Sequence, residues 1–345
     1  MRIVVLCGGV SAERDVSIVS GTLAAKALAG RGHDVVIMDL YFGYTQPYDK
    51  AEEIFGRELT DVGAAIGENA PDIEEVKKLR KQNNDSRVGE NVVEICRAAD
   101  IVFMALHGED GEDGKIQALF DLENIKYTGT GALGSAIAMN KDVSKRLLAQ
   151  AGIKTPQGAV VSRRDGKTAP VEFPCFVKPC SRGSSVGASI ANSEEEYKAA
   201  LDFAFAYDEQ AIVEQYIKGR ECDVGVIAGR ALPVIEICPK TGFYDYKNKY
   251  QSGLTDEFCP ADLPENVTEQ LKRAAEKVFE ALMFDVYGRM DFIVAENGEI
   301  YCLEGNTLPG LTPLSLLPQE AAAEGISYEE LCETIIRESL KKYEA

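Results

Sequence analysis

The opening forty residues set the strongest limit on the fold, because they alternate between apolar strand patterns and a helix pattern. Residues 2–7 (RIVVLC) are typical of a buried strand, a helix pattern follows Gly8 and ends at Gly30, and residues 33–40 (HDVVIMDL) form a second apolar run. Two buried strands joined by a helix predict a parallel sheet with helices on its faces. The chain therefore begins as an α/β protein.

The remaining chain divides into several units, since 345 residues exceed what one compact core usually holds. Residues 43–91 interrupt the alternation with an acidic, polar stretch that we interpret as an insertion without assignable chemistry. Strand and helix patterns return after it, and the glycine-rich segment 127–131 (YTGTG) predicts the first domain boundary. The last third mixes strands with two long helices, near 266–282 and 328–343.

Composition excludes some classes of protein. The formal net charge of −19 argues against a protein that holds nucleic acid by neutralising phosphates. No apolar run approaches the ~20 residues that span a bilayer, and the N-terminal strand lacks the features of a signal peptide. The nine cysteines include no C-x-x-C pair, so we expect reduced thiols in a cytoplasmic protein.

A β-hairpin with acidic residues on one face is the most informative segment of the last third. The dipeptide at 297–298 (NG) stands between two apolar runs, which predicts a hairpin with a two-residue turn. In that register Asp291 lies opposite Glu304, and Arg289 lies opposite Asn306. Because side chains alternate between the faces of a strand, these four side chains share one face.

Facing carboxylates on a covered sheet need a cation, since like charges on cross-strand partners are destabilising. Carboxylate and amide oxygens are the hard ligands of Mg²⁺ ions that also hold substrate phosphates. The hairpin therefore predicts a metal site at Asp291, Glu304 and Asn306. An exposed acidic hairpin end, with Arg289 as a salt-bridge partner, is the alternative interpretation.

A loop of small residues after a strand that ends in lysine predicts an anion site. The apolar run 173–178 ends at Lys178, and the loop 179–187 (PCSRGSSVG) follows. Small residues leave backbone N–H groups free to surround an anion, and serine hydroxyls add donors. Lys178 adds a compact positive charge suited to a phosphate. A plain flexible loop is the alternative interpretation.

The segment 213–221 (VEQYIKGRE) follows as a strand end and a turn. Its acids Glu214 and Glu221 could accept hydrogen bonds from a purine and a ribose. Taken alone, the segment is more simply interpreted as solvated surface charge.

Taken in order, these motifs resemble the ATP-grasp superfamily and, within it, the D-alanine–D-alanine ligase family. The resemblance covers almost the whole chain except residues 43–91. It depends on nine motifs, each weak alone and specific together: 8–17 (GGVSAERDVS), 107–114 (HGEDGEDG), 139–141 (MNK), 178–179 (KP), 183–187 (GSSVG), 249–250 (KY), 289–291 (RMD), 304–306 (EGN) and 309–312 (PGLT).

The resemblance implies a three-domain ATP-grasp architecture that is α/β at the N-terminus and α+β in the ATP-grasp part. Residues 1–129 would form a Rossmann-like domain with a parallel sheet and the insertion at about 43–91. Residues 130–214 and 215–345 would be the central and C-terminal domains, which clamp ATP between two sheets.

The resemblance also implies ATP-dependent joining of two D-alanine molecules through a D-alanyl phosphate, for peptidoglycan precursor synthesis. The implied metal ligands are Asp291, Glu304 and Asn306, which would hold two Mg²⁺ ions that Mn²⁺ can replace. The implied contacts to ATP are Lys141, Lys178, Ser184, Ser185, Glu214, Tyr216, Ile217, Glu221 and Lys249. The implied catalytic residues are Glu13, Ser184, Tyr250, Arg289 and Gly310.

The substrate contacts follow from the same resemblance. Glu13 would hold the ammonium group of the first D-alanine, with His107 nearby, and Ser315 would hold the carboxylate of the second. Leu316 is compatible with an apolar pocket for a methyl group. The acidic pair at 109–110 adds negative charge near this presumed pocket.

The chemistry needs a closed site, because water destroys an acyl phosphate. The polar, tyrosine-rich segment 241–253 is the candidate closing loop. Within it, Tyr250 favours D-alanine as the nucleophile, since D-lactate ligases of the family often carry histidine there. A D-alanine–D-serine or D-alanine–D-lactate ligase is the alternative.

Three other interpretations remain. The chain could be another ATP-grasp ligase, an NAD-dependent oxidoreductase suggested by Gly8 and Gly9, or a nucleotide-binding regulator without catalysis. The missing G-x-G-x-x-G argues against the second, and the complete set of metal and phosphate residues argues against the third. ATP and D-alanine are the expected partners, with no nucleic acid or membrane, and a homodimer is implied by the resemblance.

Overall fold

The structure is a computed structural model that describes residues 1–59, 66–67, 70–80, 85–164, 168–242, 244, 248–249, 251 and 253–344. The described strands form three sheets. No helix in these ranges is both long enough and apolar enough to cross a membrane.

The first sheet confirms the predicted parallel arrangement. Strand β1 (Arg2–Cys7) pairs on one side with β2 (Asp34–Asp39) and on the other with β3 (Ile101–Met104), both in parallel. Every residue from Ile3 to Cys7 is buried, as expected for a strand covered on both faces. Helices α1 (Arg14–Gly30), α3 (Val92–Ala98) and α4 (Lys115–Leu122) contribute to the core of this sheet. The short helix α2 (Ile73–Lys78), which has no buried residue, and a 3₁₀ turn at Ala51–Ile54 lie in the insertion.

The second sheet is antiparallel and lies in the middle of the chain. Its strand order is β4-β7-β5-β6. The strands are β4 (Gly158–Ser162), β5 (Cys175–Pro179), β6 (Ser189–Ala191) and β7 (Gln210–Gln215). Helix α7 (Glu194–Ala204) packs against it, and helices α5 (Ala132–Met139) and α6 (Lys141–Gln150) precede it.

Helix α5 is missing from the sequence-based prediction, because its residues (ALGSAIAM) follow a glycine-rich connection that we interpreted as a boundary. Helix α6 begins at Lys141, directly after α5 and Asn140. The side chain of Asn140 accepts a hydrogen bond from the Val143 N–H and so caps its first turn.

The third sheet has six strands, five of them in the order β11-β10-β8-β12-β13, with β9 beside β8. The strands are β8 (Gly219–Ile227), β9 (Arg230–Ala231), β10 (Ile235–Pro239), β11 (Thr255–Phe258), β12 (Tyr287–Ala295) and β13 (Ile300–Asn306). Helix α8 (Glu265–Ala281) covers one face with Leu271, Ala275 and Val278. Helices α9 (Leu316–Ala323) and α10 (Tyr328–Leu340) and the 3₁₀ turn Lys341–Tyr343 follow.

The end of the chain packs against its beginning. Leu331 and Ile335 of α10 belong to the same buried core as the strands of the first sheet. The Gly129 N–H donates to the hydroxyl of Ser339 (3.2 Å), and the Tyr127 N–H donates to that of Tyr343 (3.0 Å). The core of the first sheet is therefore built from both ends of the sequence.

Candidate active site

Two cavities of similar size lie at the second and third sheets. The first, of about 380 Å³, is lined by residues of both sheets and of the loop 181–187. The second, of about 360 Å³, lies toward the first sheet and is lined by Glu13, His107, Gly183, Ser184, Arg289 and segment 308–319, among others. Glu304, Tyr244 and Lys249 line both cavities. The two cavities therefore share a wall.

The acidic hairpin has the predicted pairing at its acidic residues but a different turn. Asp291 pairs with Glu304 and Arg289 with Asn306, as predicted, but nearer the turn Val294 pairs with Ile300. The turn thus has a three-residue loop, in which the Gly298 N–H donates to the Ala295 carbonyl (2.8 Å). The prediction of a two-residue turn is wrong.

A β-bulge corrects the register. Phe292 pairs with Cys302 while Asp291 pairs with Glu304, so Leu303 is the extra residue. Asn-Gly with glycine at positive φ (82° at Gly298) also suits a three-residue loop, which explains why the dipeptide alone does not determine the turn. The loop and the bulge each shift the register by one residue, and the two shifts cancel.

The oxygen atoms of the hairpin meet cations from several directions. Lys141 Nζ lies 3.1 Å from Glu304 Oε2, and Arg289 forms a bidentate ion pair with Asp291 (2.9 Å each). Asn306 Nδ2 donates to Asp291 Oδ2 at 3.1 Å. Burial opposes ionisation of Glu304, but Lys141 and Lys178 outweigh it and lower its pKa.

This donor set fits Mg²⁺. Two carboxylates and an amide oxygen are hard ligands, and they converge at the wall between the cavities. Among the described residues, no group of three His, Cys, Asp or Glu side chains forms a separate metal site. The nine cysteines are free thiols.

Lysines and acids alternate in the first cavity. Glu214 lies between Lys178 (3.0 Å) and Lys145. Burial raises the pKa of Glu214, but the two lysines outweigh burial and lower it. Lys141 also donates to the Arg182 carbonyl at 2.7 Å. The predicted Lys141 and Lys178 thus line one cavity. Lys145, which belongs to no sequence motif, forms an ion pair with Glu214 without lining this cavity.

The other predicted nucleotide contacts line the same cavity. Tyr216, Ile217, Glu221 and Lys249 are all part of its wall. Burial raises the pKa of Glu221 to about 7. The aliphatic and aromatic members suit a flat base, and the lysines and acids suit a phosphate–metal complex.

The serine loop (residues 181–187) connects the two cavities. Ser184 and Ser185 adopt left-handed backbone conformations (φ 50° and 55°), which cost energy in residues with a Cβ atom. The Ser184 hydroxyl donates to the Glu13 carboxylate, and the Ser185 hydroxyl donates to the Tyr244 carbonyl (3.1 Å). Ser184 thus faces the second cavity and Ser185 the first.

Glu13 lies where two glycines leave room for it. A Cβ atom at Gly108 would lie 2.8 Å from Glu13 Oε2, and one at Gly183 would lie 3.0 Å from it. Both glycines belong to predicted motifs, and this close approach is the physical reason for them. Glu13 is buried in the wall of the second cavity.

His107 lines this cavity but uses both ring nitrogens within the protein. Nδ1 lies 2.9 Å from the Leu308 carbonyl and Nε2 lies 3.1 Å from the Ser20 hydroxyl. Because a carbonyl only accepts, Nδ1 carries the proton and Nε2 accepts. Burial lowers the pKa of His107, so the ring is neutral and orients the segment around it.

The opposite wall contains the predicted oxyanion and carboxylate groups. Arg289, Gly310, Ser315 and Leu316 all line the second cavity. A Cβ atom at Gly310 would lie 2.8 Å from the Ser315 hydroxyl oxygen, so glycine keeps that approach open. That hydroxyl is held by Thr312 through its N–H (3.1 Å) and its hydroxyl (2.8 Å).

Two residues of the site have no role assigned from the sequence. Asp223 of β8 lies 2.9 Å from the Arg289 guanidinium and is buried. Glu112 lies in the second cavity, and burial together with the nearby Glu13 raises its pKa to about 8. Glu112 stands within the predicted segment 107–114, whereas Asp223 is visible only once the strands are paired.

The insertion contributes to the site. Arg87 lies 2.7 Å from Asp110 and 3.4 Å from Glu109, and Arg182 of the serine loop also pairs with Glu109. The acidic pair is therefore neutralised by two arginines. Ile66 lines the second cavity, and Gln251 donates to the Gly67 carbonyl (3.0 Å). The predicted closing loop thus contacts the insertion, whereas Tyr250 lies outside the described residues.

A cavity between two antiparallel sheets, with lysines and hairpin carboxylates converging on it, defines an ATP-grasp enzyme. The N- and C-terminal models of the D-ala D-ala ligase family match residues 2–130 and 147–337. The chain is 44% identical over 348 residues to the D-alanine–D-alanine ligase of Pediococcus pentosaceus, covering 100% of this chain and 99% of that protein. It is 40% identical to that of Syntrophotalea carbinolica, covering 97% and 95%.

Solved structures give the same result. A crystal structure of the D-alanine–D-alanine ligase of Bacillus anthracis complexed with ATP is 30% identical, with a TM-score of 0.74 and full coverage of both chains. The chain therefore belongs to the D-alanine–D-alanine ligase family. The ATP-grasp fold predicted from the sequence is confirmed.

Proposed function

We propose that this protein joins two D-alanine molecules to D-alanyl-D-alanine, with ATP converted to ADP and phosphate, for peptidoglycan precursor synthesis. The observation that carries this proposal is the wall shared by the two cavities, where the hairpin carboxylates lie. A nucleotide in the first cavity and an amino acid in the second would meet there. Full-length identity to D-alanine–D-alanine ligases supports the choice of amino acid.

The nucleotide would occupy the first cavity. Tyr216 and Ile217 would flank the base, with Glu214 at its edge and Glu221 at the ribose. The triphosphate would draw on Lys141, Lys178, Lys249, Ser184 and Ser185. The lysines now paired with Glu214 and Glu304 would then share their charge with phosphate oxygens.

We assign Asp291, Glu304 and Asn306 to two Mg²⁺ ions, which Mn²⁺ could replace. When bound, the ions neutralise charge that develops on the transferring phosphoryl group. Arg289, Lys141 and Lys178 of this chain hold these ligands and add positive charge of their own.

The first half-reaction would occur at the shared wall. Glu13 would bind the ammonium group of the first D-alanine, so that the carboxylate of this D-alanine faces the first cavity. One oxygen of the D-alanine carboxylate attacks the γ-phosphorus of ATP, the bond from this phosphorus to the β–γ bridging oxygen breaks, and ADP leaves. The product is D-alanyl phosphate, whose phosphate is a good leaving group. Ser184 and the neutral His107 would keep Glu13 and the nearby wall in place.

The second half-reaction would form the peptide bond. The free amine of the second D-alanine attacks the acyl carbon, and the resulting oxyanion would be met by Arg289 and the Gly310 N–H. Phosphate then leaves as the carbonyl re-forms, and the amine loses a proton. Ser315 would hold the carboxylate of this acceptor, and Leu316 its methyl group.

We propose further that the segment 241–253 closes over both substrates and that Tyr250 favours an amine as the nucleophile. We also propose that the chain forms three domains, at residues 1–129, 130–214 and 215–345. The protein would act as a homodimer in the cytoplasm, without nucleic acid or membrane partners.

The deciding experiment is an assay of phosphate release from ATP with Mg²⁺, with products identified by mass. D-Alanine alone should give D-alanyl-D-alanine, and L-alanine should give no turnover. A mixed product made in preference when D-serine or D-lactate is added would favour the alternative acceptor. Absence of nucleotide turnover by the folded protein with every substrate would overturn the proposal.

A further inference from the structure

An acidic side chain that no motif predicts lies at the acceptor end of the second cavity. Glu257 of β11 lines this cavity together with Leu314, Ser315 and Gln319. Its neighbours in the strand, Asp256 and Phe258, are exposed, as the alternation of side chains in a strand requires. Strand pairing with β10, where Glu257 lies beside Ile237, fixes this orientation.

The partners of Glu257 are neutral. Its Oε1 accepts a hydrogen bond from the Tyr244 hydroxyl (3.3 Å), and its Oε2 accepts one from Gln319 Nε2 (2.5 Å). Gln319 also donates to the Leu314 carbonyl at 2.8 Å, which fixes its amide. In the part of the chain that the structure describes, no lysine or arginine forms an ion pair with Glu257. Among the described residues, the carboxylate is thus oriented by neutral hydrogen-bond donors rather than by an ion pair.

The position of this charge relative to Ser315 gives it a function. The Gln319 N–H donates to the Ser315 carbonyl (3.2 Å), so the amide that binds Glu257 belongs to the same helical turn as the proposed carboxylate contact. An acceptor whose carboxylate lies at Ser315 would have its other polar group within the field of Glu257. This step rests on the proposed function.

We propose that Glu257 is a specificity-determining residue that selects a zwitterionic amino acid over an anionic 2-hydroxy acid as the second substrate. D-Alanine enters with an ammonium group that balances its carboxylate, whereas D-lactate carries a hydroxyl and a net negative charge. Glu257 attracts the first and repels the second. We take ~8 Å between the Glu257 carboxylate and the group in which the two acceptors differ, and an effective dielectric constant of ~20 to 40. One charge then changes the ratio of the binding constants of the two acceptors by about tenfold.

The test is a competition between acceptors. Wild type and Glu257→Gln receive ATP, Mg²⁺, D-alanine and D-lactate, and the ratio of D-alanyl-D-lactate to D-alanyl-D-alanine is measured by mass. Glutamine preserves size and can still accept from Gln319 through its carbonyl oxygen, and its NH2 group can donate to the Tyr244 hydroxyl oxygen. The variant thus removes the charge with little change in contacts. We expect the ratio to rise by about tenfold, mainly through a higher KM for D-alanine as acceptor.

Two further variants make the result decisive. Asp256→Asn removes the adjacent exposed carboxylate, which pairs with Lys240 on the outer face (3.1 Å), and should leave the ratio unchanged. Gln319→Lys keeps Glu257 but places a cation beside it, and should raise the ratio in the same direction even if Glu257→Gln does not fold. An unchanged ratio in both Glu257→Gln and Gln319→Lys, with wild type active, overturns the role of Glu257. Absence of dipeptide from wild type overturns the proposed function instead.

Discussion

The acidic side chains at the proposed phosphate site have cationic partners, whereas two acidic side chains of the second cavity have neutral ones. In the first cavity Glu214 lies between Lys178 and Lys145, and Glu304 lies beside Lys141. In the second, Glu112 accepts a hydrogen bond from the Gly108 N–H (2.6 Å), and Glu257 is bound by an amide and a phenol. Accordingly, the pKa of Glu214 and Glu304 is lowered, whereas the pKa of Glu112 is raised, as is that of Glu221 at the proposed ribose end of the first cavity.

This difference reflects the charge of the expected ligands. A triphosphate with its metal ions needs both signs of charge, so the first cavity keeps lysines and acids paired until the ligand arrives. An amino acid brings its own ammonium group, so the second cavity presents carboxylates to it. Because a buried charge without a partner is costly, the charged groups of each cavity indicate the charge of the ligand that it accepts.

Removing a cation from the first cavity should have the largest effect. Lys178→Met leaves Glu214 with Lys145 and removes positive charge from the phosphates, so we expect kcat/KM for ATP to fall roughly 100- to 1000-fold. The KM for D-alanine should change little. Steady-state kinetics with each substrate varied in turn separates these parameters.

Lys145→Met is the matched control, because Lys145 pairs with the same carboxylate but does not line the cavity. It should lower thermal stability more than it changes the kinetics. Equal losses of ATP kinetics in the two variants would contradict the assignment of Lys178 to the phosphates.

Removing an acid from the second cavity should have an effect of intermediate size, and it should change the KM for D-alanine rather than the kinetics with ATP. Glu13→Gln keeps the hydrogen bond from Ser184 but removes the charge that would bind an ammonium group. We expect the KM for the first D-alanine to rise roughly 10- to 100-fold, since a hydrogen bond to a charged group contributes about 1.5–3 kcal/mol. The KM for ATP should stay within about threefold of wild type.

Glu109→Gln serves as the control, since Glu109 lies beside this region but is neutralised by two arginines and does not line the cavity. Its KM for D-alanine should match that of wild type. A rise in the KM for ATP with Glu13→Gln, comparable with that for D-alanine, would remove the distinction between the cavities.

The smallest effect concerns stability and pH. Because the pKa of Glu112 is raised from 4.5 to about 8, the folded state binds more protons than the unfolded state between these values. Its contribution to stability is therefore full below about pH 4.5 and is lost as pH rises through 8. Glu112→Gln should lose this dependence while keeping the acceptor for the Gly108 N–H.

Thermal unfolding from pH 5 to 8.5 measures this difference. The Tm of wild type should fall relative to that of Glu112→Gln as pH rises. Parallel curves for the two proteins would show that Glu112 does not titrate in this range.

The sequence predicts the fold and the pairing of the hairpin correctly, but for the hairpin by an incomplete argument. Asn297-Gly298 is compatible with a loop of two or three residues, and the extra residue at Leu303 has no signature of its own. The prediction succeeds because the loop and the bulge offset each other. Local propensity predicts that a hairpin forms, whereas its register is visible only in the paired strands.

The residues that the sequence does not predict share one property. Lys145, Asp223 and Glu257 act through elements distant in sequence: Lys145 reaches β7, Asp223 reaches β12, and Glu257 reaches α9. No short motif contains such a pair, so only the folded chain reveals it. The predicted Glu13, in contrast, is approached by Gly108 and Gly183, two glycines that belong to short motifs of the sequence.

The packing of α10 against the first sheet has a consequence for synthesis on the ribosome. The first 130 residues leave the exit tunnel long before Leu331 and Ile335, which complete their core. The nascent first sheet thus exposes an apolar surface until α10 has also emerged. Emergence of α10, rather than emergence of the first domain, is therefore the event that allows this sheet to reach its native stability.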